Sequence, residues 1–249
     1  MQLLLSDERS GVLEAFRRPG TLVALDYDGT LAPIVANRYK AVMRERTYGL
    51  LQQVAQRYPT VVITGRSRED AARFVEGVGL RALIGNHGLD LQPGRRKDFR
   101  GRVQEWREEL AERLELCKGV LIEDKRLSLS LHYRNAPDKA GTEALLWRVA
   151  GQLEDARLVG GKDVINVVPA EGTNKADALL DACRRFGCER AIFVGDDETD
   201  EDVFALQAQP VLGIHVGLEA DSRAAYRLRD QHEIDDLLLA LVAERPAIQ

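Results

Sequence analysis

Cysteine is scarce in this chain of 249 residues, which contains only three. An odd, unclustered number of cysteines argues against a disulfide framework and a tetrahedral zinc site, and it favours a reducing compartment. Long apolar runs are also absent, since no stretch approaches the ~20 residues of a bilayer-spanning helix. The apolar run at the N-terminus is too short for a secretory signal. The sequence therefore predicts a cytoplasmic protein with no membrane partner.

Positive charge is in deficit, with 35 Lys and Arg residues against 40 Asp and Glu and a net charge of -5. Because phosphate backbones attract basic surfaces, this balance argues against a nucleic-acid partner. Apolar residues make up 45% and charged residues 30%, which is typical of a soluble globular protein. The length fits one large domain or one domain with an insertion. We expect a monomer that acts on a small molecule.

Five short apolar runs recur along the chain, and each is continuous rather than alternating with polar residues. They are Leu22–Leu25, Val61–Ile63, Ala82–Ile84, Ile192–Val194 and Val211–Ile214. Such runs are typical of strands buried on both faces of a parallel sheet. Helical patterns lie between most of them, with N-cap signals at Ser67 and at Thr173 or Asn174. Strands that alternate with helices predict an open, Rossmann-like α/β core, in which ligands bind beyond the carboxyl ends of the strands.

The middle of the chain has a different pattern. Arg102–Cys117 carries apolar residues at helical spacing, and Leu127–Tyr133 alternates apolar with polar residues as a half-buried strand does. One apolar face and one polar face indicate a sheet that is covered on one side only. We therefore expect residues 91–167 to form a small α+β cap domain, inserted into a core of residues 1–90 and 168–249.

Two acidic residues follow the first buried strand. Asp26 and Asp28 are two positions apart, so in extended backbone their side chains point the same way. These carboxylates repel each other unless a cation lies between them or one is protonated, and Mg²⁺ prefers oxygen ligands of this kind. A metal-screened Asp26 can attack phosphorus, while Asp28 can protonate the leaving oxygen and later deprotonate a water. Gly29 permits a tight turn and lets backbone N–H groups approach a phosphate.

Three further polar motifs follow other predicted strands. The Thr64 hydroxyl can donate to a phosphate oxygen, and Lys175 at a helix start forms an anion site. Gly195–Glu201 holds five acids in six successive residues, which favours Asp196 as a Mg²⁺ ligand and Asp200 as its support. Alone, each motif has an ordinary explanation as a turn, a surface lysine or an acidic helix start. Because each follows a different parallel strand, we expect all of them to meet at one edge of the sheet.

In this order the motifs resemble those of the haloacid dehalogenase superfamily, and the insertion resembles the cap of its sugar-phosphate phosphatases. The chain is similar in more detail to the trehalose-6-phosphate phosphatase family, and the similarity spans nearly the whole chain. The segments that carry it are Leu25–Leu31, Gly85–Gly88, Glu123–Lys125, His132–Arg134 and Gly195–Glu201. The core motifs are specific to the superfamily, whereas the cap motifs point to trehalose.

The resemblance implies hydrolysis of trehalose 6-phosphate to trehalose and phosphate, within trehalose biosynthesis and through an aspartyl-phosphate intermediate. Asp26 would be the nucleophile and Asp28 the acid and base, with Thr64 and Lys175 on the phosphate. The metal-site residues that it implies for Mg²⁺ are Asp26, Asp28, Asp196, Asp197 and Asp200. The substrate-binding residues that it implies are Gly29, Thr30, Arg66, Asn86, His87, Glu123, Lys125, His132, Arg134 and Glu171.

Several alternatives stay open at the level of the sequence. A turn ion pair explains Glu123 and Lys125 without a ligand, and a solvated sheet face explains His132 and Arg134. A phosphatase for another sugar phosphate, such as sucrose 6-phosphate or mannosyl-3-phosphoglycerate, shares every core motif. A phosphomutase or a catalytically silent sugar-phosphate-binding protein is a more distant alternative.

Overall fold

The protein contains two sheets in the computed structural model, which describes residues 1–5, 10–35, 38–207, 210–218 and 221–243. The strands within these ranges are β1 (Gln2–Leu3), β2 (Thr21–Leu25), β3 (Thr60–Ile63), β4 (Ala82–Ile84), β5 (Leu121–Asp124), β6 (Leu129–His132), β7 (Ala156–Gly161), β8 (Val164–Pro169), β9 (Arg190–Gly195), β10 (Val211–Val216) and β11 (Tyr226–Leu228). The α-helices within them are α1 (Ser10–Phe16), α2 (Glu45–Arg57), α3 (Arg68–Val75), α4 (Arg96–Arg113), α5 (Lys139–Ala150), α6 (Lys175–Phe186), α7 (Glu201–Phe204) and α8 (Ile234–Val242). In these same ranges, every helix falls short of the length or the apolar character that crossing a bilayer demands.

The larger sheet is parallel throughout, with the spatial order β1-β11-β10-β9-β2-β3-β4. Helices cover both of its faces, because alternate residues of a strand point to opposite sides. Val23 and Leu25 pack with α2 and α8, whereas Leu22 and Ala24 pack with α6. All of β2 is buried, which is why its sequence is a continuous apolar run. The predicted Rossmann-like core is confirmed.

The helix signals in the sequence correspond to real caps. The Ser67 side chain accepts from the Asp70 backbone N–H at 3.2 Å and begins α3. Asn174, rather than Thr173, is the N-cap of α6, and it exchanges hydrogen bonds with Asp177 in a capping box. Gly187 ends α6 in the left-handed conformation. The Asn174 cap therefore fixes the start of α6, which is where Lys175 lies.

The smaller sheet is antiparallel, with the order β5-β6-β8-β7, and together with α4 and α5 it forms the cap (residues 96–169). Its apolar face packs against the two helices through contacts that include Leu110 and Leu146 with Leu131 and Ile165. Burial of each such side chain contributes roughly 1.5–3 kcal/mol. The sheet ends at Pro169, so it extends past the expected boundary at residue 167.

The polar face of the cap sheet differs from its expected exposure. Ser128 and Ser130 are fully buried rather than solvated. The Ser128 hydroxyl donates to Asn86 Oδ1 of the core at 3.2 Å, and the Ser130 hydroxyl donates to Asn166 Oδ1 of β8 at 2.6 Å. The expectation of a sheet covered on one side only is therefore wrong at these positions, because the core covers the polar face.

Candidate active site

The structure brings the four polar motifs together at one edge of the parallel sheet, where the carboxyl ends of β9, β2 and β3 lie side by side. Asp26 follows β2, Thr64 follows β3 and Asp196 follows β9. Lys175 begins α6, which follows the antiparallel strand β8 and not a parallel strand as expected. Its ammonium nevertheless reaches the same edge, 2.7 Å from Asp200 Oδ1 and 3.3 Å from Asp26 Oδ1. A buried cation thus lies between two buried carboxylates at the expected edge.

Three aspartates form a candidate site for a divalent cation. Ligand oxygens of Asp26, Asp196 and Asp200 all lie within 4.8 Å of one another. Within the described residues, Asp26 Oδ1 and Asp196 Oδ1 are buried and accept no hydrogen bond. Hard cations favour such oxygen sets, and therefore these residues fit a divalent metal ion.

Three acids of the predicted metal set, Asp200 of the cluster among them, are held by contacts within the protein. Asp200 uses Oδ1 for Lys175, and its Oδ2 accepts from the backbone N–H groups of Asp196 and Asp197 at 3.0 Å each. Asp200 therefore holds the acidic loop in shape. Asp197 caps the following turn by accepting from the Glu198 N–H at 2.9 Å. Asp28 is turned towards Arg66.

Burial dominates the electrostatics of the cluster. It raises the pKa of Asp26 to about 8, with Lys175 opposing the rise and Asp200 and Asp28 adding to it. Burial also raises the pKa of Asp196 well above its ordinary value, and the neighbouring Asp26 adds to the effect. Burial alone would lower the pKa of Lys175, but Asp200 and Asp26 hold it above its ordinary value. The lysine therefore stays charged, while the acids bind protons in competition with a cation.

Mg²⁺ binding is expected to release protons and to tighten as the pH rises from 6 to 8. A carboxyl group whose pKa is raised to about 8 is mostly protonated at pH 6, so the cation must displace its proton. For each proton displaced, the Mg²⁺ affinity increases about tenfold per pH unit, until the pH exceeds the pKa of the carboxyl group. Calorimetric titration at three pH values, in two buffers of different ionisation heat, measures both effects. An affinity that is independent of pH over this range would contradict the expectation.

The turn after Asp26 is packed against the candidate metal ligand. Gly29 has a positive φ of +80°, and a Cβ built there would lie within 1.9–2.5 Å of the Asp196 carboxylate atoms. Only glycine therefore allows this turn and Asp196 to approach each other so closely.

Replacing Gly29 with Ala is expected to displace Asp196 and weaken Mg²⁺ binding by about tenfold or more, as changes beside metal ligands do. The matched control is Gly20→Ala, because Gly20 has nearly the same φ of +79° and nothing within 4 Å of its built Cβ. Backbone strain of about 1–2 kcal/mol applies to both variants, whereas only the first disturbs the aspartate. Calorimetry of Mg²⁺ binding and thermal unfolding separate the two effects, and equal Mg²⁺ affinities would refute this explanation.

A cleft of about 1480 Å³ separates this edge from the cap. Its volume exceeds the about 300–1,000 Å³ of most ligand pockets. The predicted residues that line it are Asp26, Asp28, Gly29, Thr64, Arg66, His87, Glu123, Lys125, His132, Arg134, Lys175, Asp196 and Asp197. The predicted residues that do not line it are Thr30, Asn86, Glu171 and Asp200.

Three cap residues of the cleft are held by contacts. Glu123 Oε2 lies 2.7 Å from His132 Nε2, across the antiparallel pair β5 and β6. Arg134 contacts Asp163 at 3.3 Å, and it also donates to the Val35 backbone oxygen at 3.4 Å. Because Val35 belongs to the core, Arg134 connects the cap to the core at the mouth of the cleft.

The turn after β4 presents two side chains to the cap. Asn86 and His87 both have left-handed φ angles, 50° and 56°, and Gly88 follows at 107°. His87 is buried, and neither of its ring nitrogens makes a well-aligned hydrogen bond to a described residue. Burial, followed by the charges of Lys125 and Lys175, lowers the pKa of His87 well below its ordinary value. The imidazole is therefore neutral at physiological pH.

Glu171 lies apart from the other predicted substrate residues. Its side chain is about half exposed, and it pairs with Arg95 at 2.5 Å and with Arg102 at 3.9 Å. Asn166 of β8, which sequence reasoning missed, does line the cleft. It is buried and accepts from Ser130. The sequence signal that could have identified Asn166 is a single polar residue inside an otherwise apolar strand.

One cap strand lies directly on the acidic loop of the core. A Cβ built on Gly160 of β7 would lie 2.1 Å from Glu198 Oε2, and one on Gly161 would lie 3.1 Å from Asp197 Oδ2. Arg157 of the same strand lies 3.7 Å from Asp202 of α7. The absence of side chains at the two glycines thus lets the cap rest on the loop that carries Asp196.

The comparisons with known proteins agree with this geometry. The family model described as Trehalose-phosphatase matches residues 24–231. The chain belongs to the trehalose-phosphatase family. A curated member from Oryza sativa subsp. japonica, named probable trehalose-phosphate phosphatase 2, is 32% identical over 259 residues, covering 88% of this chain and 67% of that protein. Trehalose-phosphate phosphatase B of Arabidopsis thaliana is 28% identical over 260 residues, covering 93% and 68%.

Solved structures related to the trehalose-phosphatase family share the fold. A trehalose-6-phosphate phosphatase related protein is 27% identical with a TM-score of 0.70, covering 87% of this chain and 95% of that chain. The C-terminal domain of the trehalose-6-phosphate phosphatase of C. albicans has a TM-score of 0.73 at 19% identity, covering 97% and 98%. Membership of the trehalose-phosphatase family implies a divalent metal, which the aspartate cluster fits.

Proposed function

We propose that the protein hydrolyses trehalose 6-phosphate to trehalose and inorganic phosphate, through an aspartyl-phosphate on Asp26. The observation that carries this proposal is the buried pair of Asp26 and Lys175, 3.3 Å apart, at the strand edge that faces the cleft. An anion-binding cation beside a carboxylate nucleophile suits phosphoryl transfer. The family membership supports trehalose 6-phosphate as the substrate.

In the first step, an Asp26 oxygen bonds to phosphorus as the bond from phosphorus to the sugar oxygen breaks. Asp28 gives its proton to that oxygen, and trehalose leaves. In the second step, a water oxygen bonds to phosphorus, its proton passes to Asp28, and the bond to Asp26 breaks. The Lys175 ammonium and the Thr64 hydroxyl hold the phosphoryl oxygens throughout.

We propose Mg²⁺ as the cofactor, held by Asp26, by Asp196 and by the backbone carbonyl of Asp28, with Asp200 and Asp197 shaping the loop. When bound, the ion neutralises charge between the nucleophile and the phosphoryl group. Without such neutralisation, two anions would repel each other at contact distance. The buried oxygens of Asp26 and Asp196 that accept no hydrogen bond support this assignment.

The cap supplies groups suited to sugar hydroxyls. Glu123 accepts hydrogen bonds, Lys125 donates them, and the neutral His87 can do either. Closure of the cap over the disaccharide would also exclude bulk water from the acyl phosphate. We further propose a cytoplasmic monomer, since all three cysteines are free thiols, which suits a reducing compartment.

Phosphate release from a panel of sugar phosphates tests the proposal. The panel holds trehalose 6-phosphate, sucrose 6-phosphate, glucose 6-phosphate and mannose 6-phosphate, each with Mg²⁺ and with EDTA. We expect a strong, metal-dependent preference for trehalose 6-phosphate. Metal-dependent release that favours another sugar would refute the substrate but keep the roles of Asp26 and Lys175. Turnover that requires a bisphosphorylated sugar would indicate a phosphomutase instead.

A further inference from the structure

The Arg66 guanidinium donates two parallel hydrogen bonds to the Asp28 carboxylate. Its Nε donates to Asp28 Oδ2 at 2.6 Å, and its Nη2 donates to Asp28 Oδ1 at 2.6 Å. A fork of this kind fixes the plane of the carboxylate as well as its position. A single hydrogen bond or a lysine cannot fix the plane, because the carboxylate could still rotate about the one contact.

Arg66 is itself held rigidly. Its side chain is only 4% exposed, and its Nη1 lies 3.3 Å from Asp70 Oδ2 in the first turn of α3. The guanidinium carbon lies 4.8 Å from the centre of the Phe74 ring and 5.3 Å from that of Tyr27. Cations over aromatic faces are stabilised there. The arginine therefore transmits the position of a packed helix to its partner.

Asp28, by contrast, faces the cleft. Its side chain is 39% exposed and lines the space where the substrate would lie. Both of its carboxylate oxygens accept a hydrogen bond from the Arg66 guanidinium. Three Arg66 nitrogens each contact a carboxylate oxygen of the protein itself. This arrangement differs from an arginine directed at a ligand, which is the role that the family resemblance implies.

We propose that Arg66 is a positioning residue that aims Asp28 at the leaving oxygen and at the attacking water, and that it does not bind the sugar phosphate. The inference rests on the proposed function, since it assigns Asp28 the proton-transfer role. Proton transfer requires heavy-atom contact near 3 Å, and a displacement of about 1 Å slows such a step by roughly 100-fold. Loss of the fork should therefore lower kcat and leave KM nearly unchanged.

The test compares Arg66→Met, Arg66→Lys and the control Arg73→Met. Arg73 contacts the same Asp70 and the same Phe74 ring but is about half exposed and does not contact Asp28. With trehalose 6-phosphate we expect kcat to fall roughly 100-fold for Arg66→Met, less for Arg66→Lys, and not for Arg73→Met. We expect KM to stay within about threefold, as positioning alone does not change ground-state binding. If the melting temperature of Arg66→Met is much lower than that of the unaltered protein, the comparison is made with Arg66→Lys instead.

The nature of the leaving group gives a readout that a merely structural role would not change. p-Nitrophenolate departs without a proton, so its release in a single turnover needs no acid. We expect Arg66→Met to slow single-turnover release of trehalose roughly 100-fold and release of p-nitrophenol only slightly. In the Asp28→Asn background, adding Arg66→Met should slow the single-turnover rate no further, with trehalose 6-phosphate or with p-nitrophenyl phosphate. The reason is that Arg66 acts only through Asp28.

Binding measurements separate the inference from substrate recognition. In the Asp26→Asn background, the Kd of trehalose 6-phosphate should be unchanged by Arg66→Met. A tenfold weaker Kd, or equal losses with both leaving groups, would overturn the inference. If the protein prefers another sugar phosphate, that sugar replaces trehalose 6-phosphate in each comparison, and only the proposed function fails. A crystal structure of Arg66→Met gives an answer independent of substrate, since an unmoved Asp28 would refute the positioning role.

Discussion

Replacement of Asp26 with Asn should abolish turnover while leaving the fold intact. The amide cannot form the acyl phosphate, and loss of a covalent nucleophile lowers turnover by roughly 10⁴-fold or more. The fold should tolerate the change because burial raises the pKa of Asp26 to about 8. Asn removes a charge that burial already disfavours, and Lys175 keeps its ion pair with Asp200, so we expect the free energy of unfolding to change by about 1 kcal/mol or less.

Acid quenching during turnover of substrate labelled with ³²P in the phosphoryl group measures the intermediate directly. The unaltered protein should carry label on the chain, and Asp26→Asn should carry none. The matched control is Asp181→Asn, because Asp181 lies in α6 and forms its ion pairs with two exposed arginines, Arg184 and Arg185. Turnover above about 1% of the original in Asp26→Asn would exclude Asp26 as the nucleophile.

Replacement of Lys175 with Met should remove both activity and much of the stability. The ammonium is the buried partner of Asp26 and Asp200, and its loss leaves two buried carboxylates without a cation. Breaking a buried pair from one side destabilises a protein by about 3–5 kcal/mol. The loss should shrink as the pH falls from 8 to 5, since a protonated Asp26 needs no counter-charge. It should also shrink when Mg²⁺ is added, since the bound ion restores positive charge.

Urea unfolding of Lys175→Met with EDTA and with Mg²⁺ measures these effects. Lys139→Met is the control, because Lys139 is half exposed in its pair with Asp163. Exposed pairs contribute about 0–1 kcal/mol, so the control should unfold almost as the original protein does. If Lys175→Met were as stable as the control in EDTA, the electrostatic role of Lys175 would be wrong.

The core could be predicted from the sequence because burial on both faces leaves a continuous apolar pattern. The runs at Leu22–Leu25 and Val61–Ile63 correspond to β2 and β3, and the caps at Ser67 and Asn174 lie where their side-chain chemistry places them. These signals are local, since each depends on a few neighbouring residues. Strands β1 and β11 were not predicted, because β1 has only two residues and β11 has Arg227 at its centre, so neither forms a continuous apolar run.

The position of the candidate active site was predictable for a topological reason, whereas the cap contacts were not. Motifs after parallel strands share one edge in any such sheet, so Asp26, Thr64 and Asp196 had to lie near one another. Which polar residue of the cap enters the cleft depends on how the cap packs on the core, and this is not a local property. Glu171 and Asn166 are only five positions apart, yet only Asn166 lines the cleft.

The contact of β7 with the acidic loop has a thermodynamic consequence. Gly160 of the cap rests against Glu198, two positions from the candidate ligand Asp196. When one event alters the surroundings of another, the coupling between them is reciprocal. If closure of the cap tightens cation binding by some factor, then the cation must favour closure by that same factor. The concentration of free divalent cation would then set the fraction of molecules whose caps are closed before any sugar arrives.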